Sequence, residues 1–501
     1  MDDAQSAKQQ PVVQVGRNCW QIVHANRVAV VVDAADYFHF VRELCESARN
    51  LLIFVGWDFD SRITLEPGDR AERVRLSRFF LRLAKRDPKR RIAILKWRFG
   101  ALKQFLIPKS LWTLIRWEAS RAIDFKFDGA HPAGCSHHQK IVVVDDAIAV
   151  CGGIDLASGR WDTSEHRDDD PNRMSPNGKP YAPWHDITML MDGPVAGALG
   201  ELARDRWHVA GGGNLPPVKD LSIDWPKDVA VTFENVQLAI ARTRAPYGDV
   251  EEVREIERMF LDMIAVAEQF IYIENQYLTS AKIAAAIATR MQEARPPEVV
   301  VIMPRTADGW LEQKAMDAAR VQLARAIGKV DSGNRFRIYV PVTVGGADIY
   351  VHAKLMIVDD RILRIGSANL NNRSLGLDSE CDVILDAALP GNETATPHIA
   401  AVRTGLIAEH LGVEYKTVEQ HFAQSGSVVA TIEALRGQGK TLELLDLEKP
   451  TAFEKLIAEN ELLDPEHADG FLEPLSERGL RKRWREGRRR ISERLKRRKA
   501  R

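Results

Sequence analysis

Apolar positions along the chain follow two periods. Tyr37, Phe40, Val41, Leu44, Cys45 and Ala48 recur at helical spacing, and the uninterrupted run Leu51–Val55 behind them suits a buried strand. That run ends at Gly56-Trp57-Asp58. The same order returns later in the chain. Val253, Ile256, Phe260, Met263, Ile264 and Ala267 mark a helix, and Phe270–Ile273 reads as a strand ending at Glu274-Asn275-Gln276-Tyr277. Further buried β runs at Ile92–Leu95 and Val299–Met303 complete a helix-then-strand alternation. This predicts an α/β fold with a parallel or mixed sheet in each of two similar halves packed face to face. Gly211–Pro217 reads as a linker and Leu389–Asn392 as a second break. The expected units are residues 1–217, residues 218–390 and a helical C-terminal extension, 391–501, with a basic tail.

The two halves share more than periodicity. His138-Gln139-Lys140 precedes Ile141–Val144 and Asp145, and Gly152-Gly153-Ile154-Asp155 follows; His352-Ala353-Lys354 precedes Leu355–Val358 and Asp359, and Gly366-Ser367-Ala368-Asn369 follows. The offsets H-x-K-x4-D-x6-G-[GS]-x-[DN] are identical. Alternation along an extended segment puts His138 with Lys140, and His352 with Lys354, on one face. Asp145 and Asp359 are turn formers and read as structural ties at the strand turn. Gly153, Asp155, Ser367 and Asn369 fall in the small-residue turns, where polar groups can cradle an anion. Two such sets facing each other give two imidazoles and two ammoniums around one phosphate. That is a plan for phosphoryl transfer through a phospho-histidine without metal or other cofactor: one histidine attacks, the other protonates the leaving alcohol, and the roles then reverse. One copy of so short a pattern would be weak. Two copies with the same extension, each after a matching helix–strand unit, are not.

Composition narrows the class. With 501 residues, 45% apolar and 28% charged, the chain is neither disordered, collagenous nor a disulfide-stapled miniprotein. Five cysteines without a C-x-x-C pair argue against a zinc site or a disulfide framework and for a reducing compartment. His131, His137, His166 and Cys135 lie near the first motif without metal-ligand spacing. The segment Ala434–Thr441 nearly spells a P-loop, but it lacks the first glycine and follows a helical stretch. No segment is long and apolar enough to span a bilayer, and the acidic, polar start Met1–Ala4 is unlike a secretory signal. The 70 basic and 70 acidic residues cancel, but the last 21 residues hold 13 Lys/Arg and two acids, so the body carries −11 and the tail +11. Leu480, Trp484, Ile491 and Leu495 fall on one helical face, which predicts an anionic membrane surface as the partner of Arg481–Arg501. The acidic stretch Glu165–Pro183 reads as a surface loop near the site.

These residues resemble the phospholipase D superfamily, whose signature is a duplicated HKD motif. Gly159-Arg160-Trp161-Asp162, Pro183-Trp184-His185-Asp186, Arg206-Trp207 and Ile273–Tyr277 look like its phosphatidylcholine-type branch. The resemblance covers about residues 40 to 385. It implies α/β/α sandwich halves and hydrolysis of phospholipid headgroup esters to phosphatidic acid and alcohol, with transphosphatidylation. It implies His138 as nucleophile and His352 as general acid, although the residues themselves do not choose between the two. It also implies a carboxylate behind each histidine, for which Asp162 and Glu380 are the candidates. A cardiolipin-synthase-type phosphatidyltransferase is the alternative, and an HKD nuclease a more distant one. No nucleic acid partner is expected, and a monomer is. The expected setting is cytoplasmic and peripheral to a membrane, with export without a cleavable signal left open.

Overall fold

The uninterrupted apolar runs become strands buried on both faces, because helices cover the sheet from both sides. The computed structural model describes residues 10–66, 74–97, 116–117, 119–219, 222–306 and 310–445. The tail Arg481–Arg501 and its apolar face lie outside the described residues.

The first part of the chain runs β1 (Gln21–Val32), α1 (Ala34–Ser47), β2 (Leu51–Gly56), α2 (Leu76–Arg86), β3 (Arg91–Trp97), β4 (Ile123–Asp128), β5 (Ile141–Val144), β6 (Ile148–Gly152), β7 (Trp184–His185), β8 (Ile187–Asp192) and α3 (Pro194–Val209). The second runs β9 (Phe233–Arg244), β10 (Val253–Arg254), α4 (Glu255–Val266), β11 (Phe270–Asn275), α5 (Ala281–Met291), β12 (Glu298–Ile302), α6 (Trp310–Val330), β13 (Phe336–Val342), β14 (Tyr350–Val351), β15 (Lys354–Val358), β16 (Ile362–Gly366) and β17 (Glu380–Asp386). Then come α7 (Thr396–Leu411), α8 (Tyr415–Ser425), α9 (Val428–Leu435) and β18 (Thr441–Leu444).

The main sheet has the order β18-β13-β12-β11-β15-β16-β17-β9-β1-β8-β6-β5-β2-β3-β4. Read outward from the central β1–β9 pair, the two sides repeat: β8 answers to β17, β6 to β16, β5 to β15, and the parallel trio β2-β3-β4 to β11-β12-β13. The antiparallel β1–β9 ladder runs from Gln21↔Ile240 to Val28↔Phe233. The two sides therefore share one sheet as well as a common packed face, in which Ile53, Met189 and Trp207 belong to the same core as Tyr272, Leu355 and Ile407. A separate two-stranded sheet, β7 with β14, ties them once more.

The C-terminal extension is not helical throughout. After α7–α9 the short β18 adds an antiparallel edge to β13, with Thr441 and Leu442 buried and Glu443 and Leu444 exposed. Four residues behind a Gly-rich loop are too few for periodicity to declare a strand. The P-loop-like segment is the end of α9 and this loop. Among the described residues no helix is long and apolar enough to cross a membrane.

Candidate active site

Each motif histidine stands just ahead of its strand and is held from both sides of the sheet centre. His138 N–H donates to Ser379 O at 2.9 Å, and His352 N–H donates to His185 O at 2.7 Å. The pairing partners thus sit one residue before an acid in each case, and the side chains follow. His138 Nδ1 lies 3.0 Å from both carboxylate oxygens of Glu380, and His352 Nδ1 lies 2.6 Å from Asp186 Oδ2. A carboxylate accepts, so Nδ1 carries the proton and Nε2 keeps its lone pair.

The motif aspartates stay out of this chemistry. Asp145 accepts from the backbone N–H groups of Arg49, Asn50 and Leu51 at 2.6, 2.8 and 2.6 Å. Asp359 does the same for Glu268, Gln269 and Phe270 at 2.7, 2.8 and 2.8 Å. Both lie in paired left-handed turns, φ 50° and 53°, followed by Asp146 at 53° and Asp360 at 52°. They lock each motif hairpin to the corner before β2 or β11.

The lysines lie behind the histidines. Lys140 Nζ donates to His138 O at 2.9 Å and pairs with Asp155 Oδ2 at 3.3 Å; Lys354 Nζ donates to His352 O and to Gln276 Oε1, the latter at 3.3 Å. Burial drives Lys354 down to about 7, although Asp186 opposes the shift. Burial likewise lifts Glu380 to about 7, against the pull of Lys140 and of hydrogen bonds from Ser367 and Ser374. Both histidines are held well below their usual range by burial first, then by the lysines: Lys140 and Lys354 for His138, Lys354 for His352. Neutral imidazoles with a free Nε2 are the result.

A cavity of about 510 Å³ opens onto both rings. Its wall includes Arg160, Asn369 and the tryptophans 57, 97 and 184. Trp184 lies 5.0 Å from the His352 ring and carries the Arg160 guanidinium 4.0 Å from its own centroid. Trp57 sits 6.1 Å from His138 and stacks on Trp97 at 5.6 Å. Asn369 lines the same wall, and its buried Oδ1 is an acceptor left without a hydrogen bond.

Several expected placements change. Asp162 does not reach a motif histidine: its carboxylate takes His166 Nδ1 at 2.9 Å, Trp184 N–H at 2.9 Å and the Arg173 guanidinium at 3.2 Å. The acid on His352 is Asp186, brought there by the β7–β14 pairing. Ser367 does not face the cavity with a free hydroxyl, because its Oγ donates to Glu380. Gly153 supports Asp186 instead of a ligand; a Cβ there would lie 2.0 Å from Asp186 Oδ1. Asp155 holds Lys140 and accepts from Trp57 N–H at 3.1 Å. The stretch Glu165–Pro183 is anchored, with Asp168 accepting from Gly345 N–H at 2.8 Å and from the Thr343 hydroxyl. Motif spacing does not single out Arg160 or Asp186, although both stand in the stretches that carry the family resemblance.

Comparison with known proteins bears on family and fold. The family described as "Cardiolipin synthase, PLD-like domain" matches residues 260–399. Phospholipase D alpha 1 of Cynara cardunculus is 28% identical over 397 residues, covering 56% of this chain and 49% of its own. Phospholipase D A of Dictyostelium discoideum is 27% identical over 463 residues, covering 77% of this chain and 36% of its own. The chain spans about half the length of the plant relatives it matches. The crystal structure of phosphatidylserine synthase from Haemophilus influenzae Rd KW20 has a TM-score of 0.54 and 12% identity, and the match covers 83% of this chain and 96% of that one; it shares the fold. Two H-x-K motifs at the heads of corresponding strands of one sheet, together with these matches, support the phospholipase D superfamily as the family this chain resembles.

Proposed function

We propose that this chain is a phospholipase D, cleaving the headgroup ester of phospholipids to phosphatidic acid and a free alcohol. One observation carries the reading: two imidazoles open onto one cavity, each with Nδ1 held by a carboxylate and Nε2 turned to the space between them.

In the first step His138 Nε2 attacks phosphorus, the P–O bond to the headgroup breaks, and His352 delivers a proton to the departing alkoxide. His352 Nε2 takes that proton from solvent as the substrate binds, because the negative charge of the phosphodiester offsets Lys354 and lets the imidazolium form. In the second step water attacks the phospho-histidine while His352 takes its proton, and the P–N bond breaks. An alcohol in place of water gives the transphosphatidylation product. Lys140, Lys354, Arg160 and the Asn369 amide stabilise the charge on the non-bridging oxygens. The assignment of nucleophile and acid follows the family resemblance. The tryptophans around the mouth suit the boundary between a headgroup and its acyl chains.

A second reading is a phosphatidyltransferase that uses a lipid or other specific alcohol as acceptor. The match to the cardiolipin synthase domain favours it. The chemistry is shared, so products decide. Mixed liposomes with ethanol should yield phosphatidylethanol and free headgroup; release only when one specific acceptor is added selects the transferase. DNA phosphodiester cleavage without lipid turnover refutes both readings.

A further inference from the structure

Behind β7, on the side away from the cavity, four segments far apart in sequence converge. Asp33 comes from the start of α1, His166 from the loop after β6, His185 from β7 and Glu409 from α7. One donor atom from each lies within 4.8 Å of all the others. The measured edges are 3.0 Å from His185 Nδ1 to Glu409 Oε1 and 3.3 Å from His166 Nε2 to the same oxygen. Asp33 lies 3.2 Å from His185 Nδ1 through Oδ1 and 3.5 Å from His166 Nε2 through Oδ2. Four ligands at about 2.0–2.2 Å from a tetrahedral zinc ion are about 3.3–3.6 Å from one another. The cluster has that size.

Two buried atoms of the cluster, Asp33 Oδ2 and His185 Nδ1, lack a hydrogen bond of acceptable geometry, and both residues are almost wholly buried. Asp33 occupies the position before α1 where a side chain ordinarily caps the helix, yet it caps nothing and turns inward instead. The outer nitrogens of both imidazoles are already engaged. His166 Nδ1 meets Asp162 at 2.9 Å, and His185 Nε2 meets Glu274 at 2.8 Å. Glu274 in turn accepts from Tyr272 at 2.6 Å and contacts His410 at 2.9 Å. A carboxylate behind each histidine is the arrangement that fixes the tautomer and points the other nitrogen at a metal.

We propose that Asp33, His166, His185 and Glu409 form a closed four-coordinate site for a divalent transition ion of zinc type. Two imidazoles and two carboxylates suit such an ion and leave no open position, so its work is to cross-link. It would clamp α1, the Glu165–Pro183 loop, β7 and α7 to one point. Asp186 follows His185 directly, and its N–H donates to Asp33 Oδ1 at 3.2 Å. The ion would thus position the strand that aims His352. No short sequence motif announces this set, because each ligand comes from a different element.

The full-length protein, purified without a metal-affinity step and dialysed, is tested by elemental analysis. About one zinc per chain is expected, falling below about 0.1 in His166→Asn and Glu409→Gln. Wild-type protein stripped by chelator and reloaded with cobalt should show the visible bands of tetrahedral Co²⁺, which tests the site even if the variants fail to fold. Protein that holds no metal, takes up neither zinc nor cobalt and keeps its Tm in chelator overturns the proposal and leaves a hydrogen-bonded ion network in its place. Full zinc content in either variant also overturns it. None of these readouts depends on lipid turnover.

Discussion

Asp186 and His352 lie on opposite sides of the sheet's centre, yet Asp186 Oδ2 sits 2.6 Å from His352 Nδ1. Glu380 holds His138 in the reciprocal sense at 3.0 Å. The cause is backbone register: Val351 pairs with His185 and His137 with Ser379, one residue ahead of the histidine and the acid in each case. Neither side builds a complete histidine–carboxylate pair alone. This crossing explains why both copies of the motif must fold against each other before either can work.

Asp186→Asn should keep the fold and lose turnover. An amide can donate to Nδ1 and so favour the wrong tautomer, turning the Nε2 lone pair into a bound proton. A fall in kcat of about 100- to 10,000-fold is expected, with KM little changed. Asp162→Asn should instead lower Tm, since Asp162 serves the Arg173–His166–Trp184 cluster and not His352 directly. Headgroup release and thermal melts of the two variants check this; equal kcat losses with equal Tm losses would contradict it.

The pH profile should be narrow and centred near neutrality. Lys354, drawn down to about 7 chiefly by burial, is charged below that pH and loses its grip on phosphate above it. Glu380, lifted to about 7 chiefly by burial, is protonated below that pH and accepts from His138 as a full carboxylate only above it. A bell in kcat/KM with both limbs near 7 follows. Bound phosphodiester restores the charge on Lys354, so the alkaline limb of kcat should lie above that of kcat/KM. In Lys354→Arg the guanidinium stays charged, and the alkaline limb should move up even if the rate falls. An unmoved limb would assign it to another group.

Asp359→Ala should cost stability and spare the chemistry. Three backbone N–H groups lose their acceptor at the corner before β11, a loss of roughly 2–4 kcal/mol in ΔG of unfolding. Asp145→Ala should behave alike. Urea melts measure the loss, and specific activity per folded molecule at low temperature should stay within about threefold of the unmutated protein. A collapse of activity in fully folded Asp359→Ala would make it a catalytic group.

What the sequence reveals and what it hides follow from distance along the chain. Helices α1 and α4, strands β2 and β11 and both histidine–lysine pairs are local patterns, and each reads directly from spacing. Asp186 is not local to His352, and the comparison of copies that exposes the motifs fails for it. Residues 153–183 separate β6 from β7, whereas only residues 367–379 separate β16 from β17, so Asp186 and Glu380 stand at different offsets from their motifs. The strands themselves keep a matching signature. Asp186 and Asp192 bracket β8 as Glu380 and Asp386 bracket β17, an acid, five residues and an aspartate. Aligning strand ends in place of motif offsets would have found the acid. No such device recovers Asp33 or Glu409, whose association with His166 and His185 exists only after α1 and α7 pack on the sheet.

Removing residues 481–501 should weaken attachment to anionic vesicles without changing the chemistry at the histidines. The segment carries 13 basic residues against two acidic ones, and its loss leaves a body of net charge −11, which an anionic surface repels. Each basic side chain near such a surface contributes about 1 kcal/mol at low ionic strength, and Trp484 adds an interfacial anchor. Co-sedimentation with phosphatidylserine-containing vesicles should fall at least about tenfold at low salt, and the difference should shrink as salt rises. Binding to purely zwitterionic vesicles should change little. Turnover of a short-chain, monomeric phospholipid should be the same with and without the tail, because no surface needs to be found. Unchanged sedimentation on anionic vesicles would reduce the tail to a solvated terminus, and loss of monomer turnover would place it at the active site.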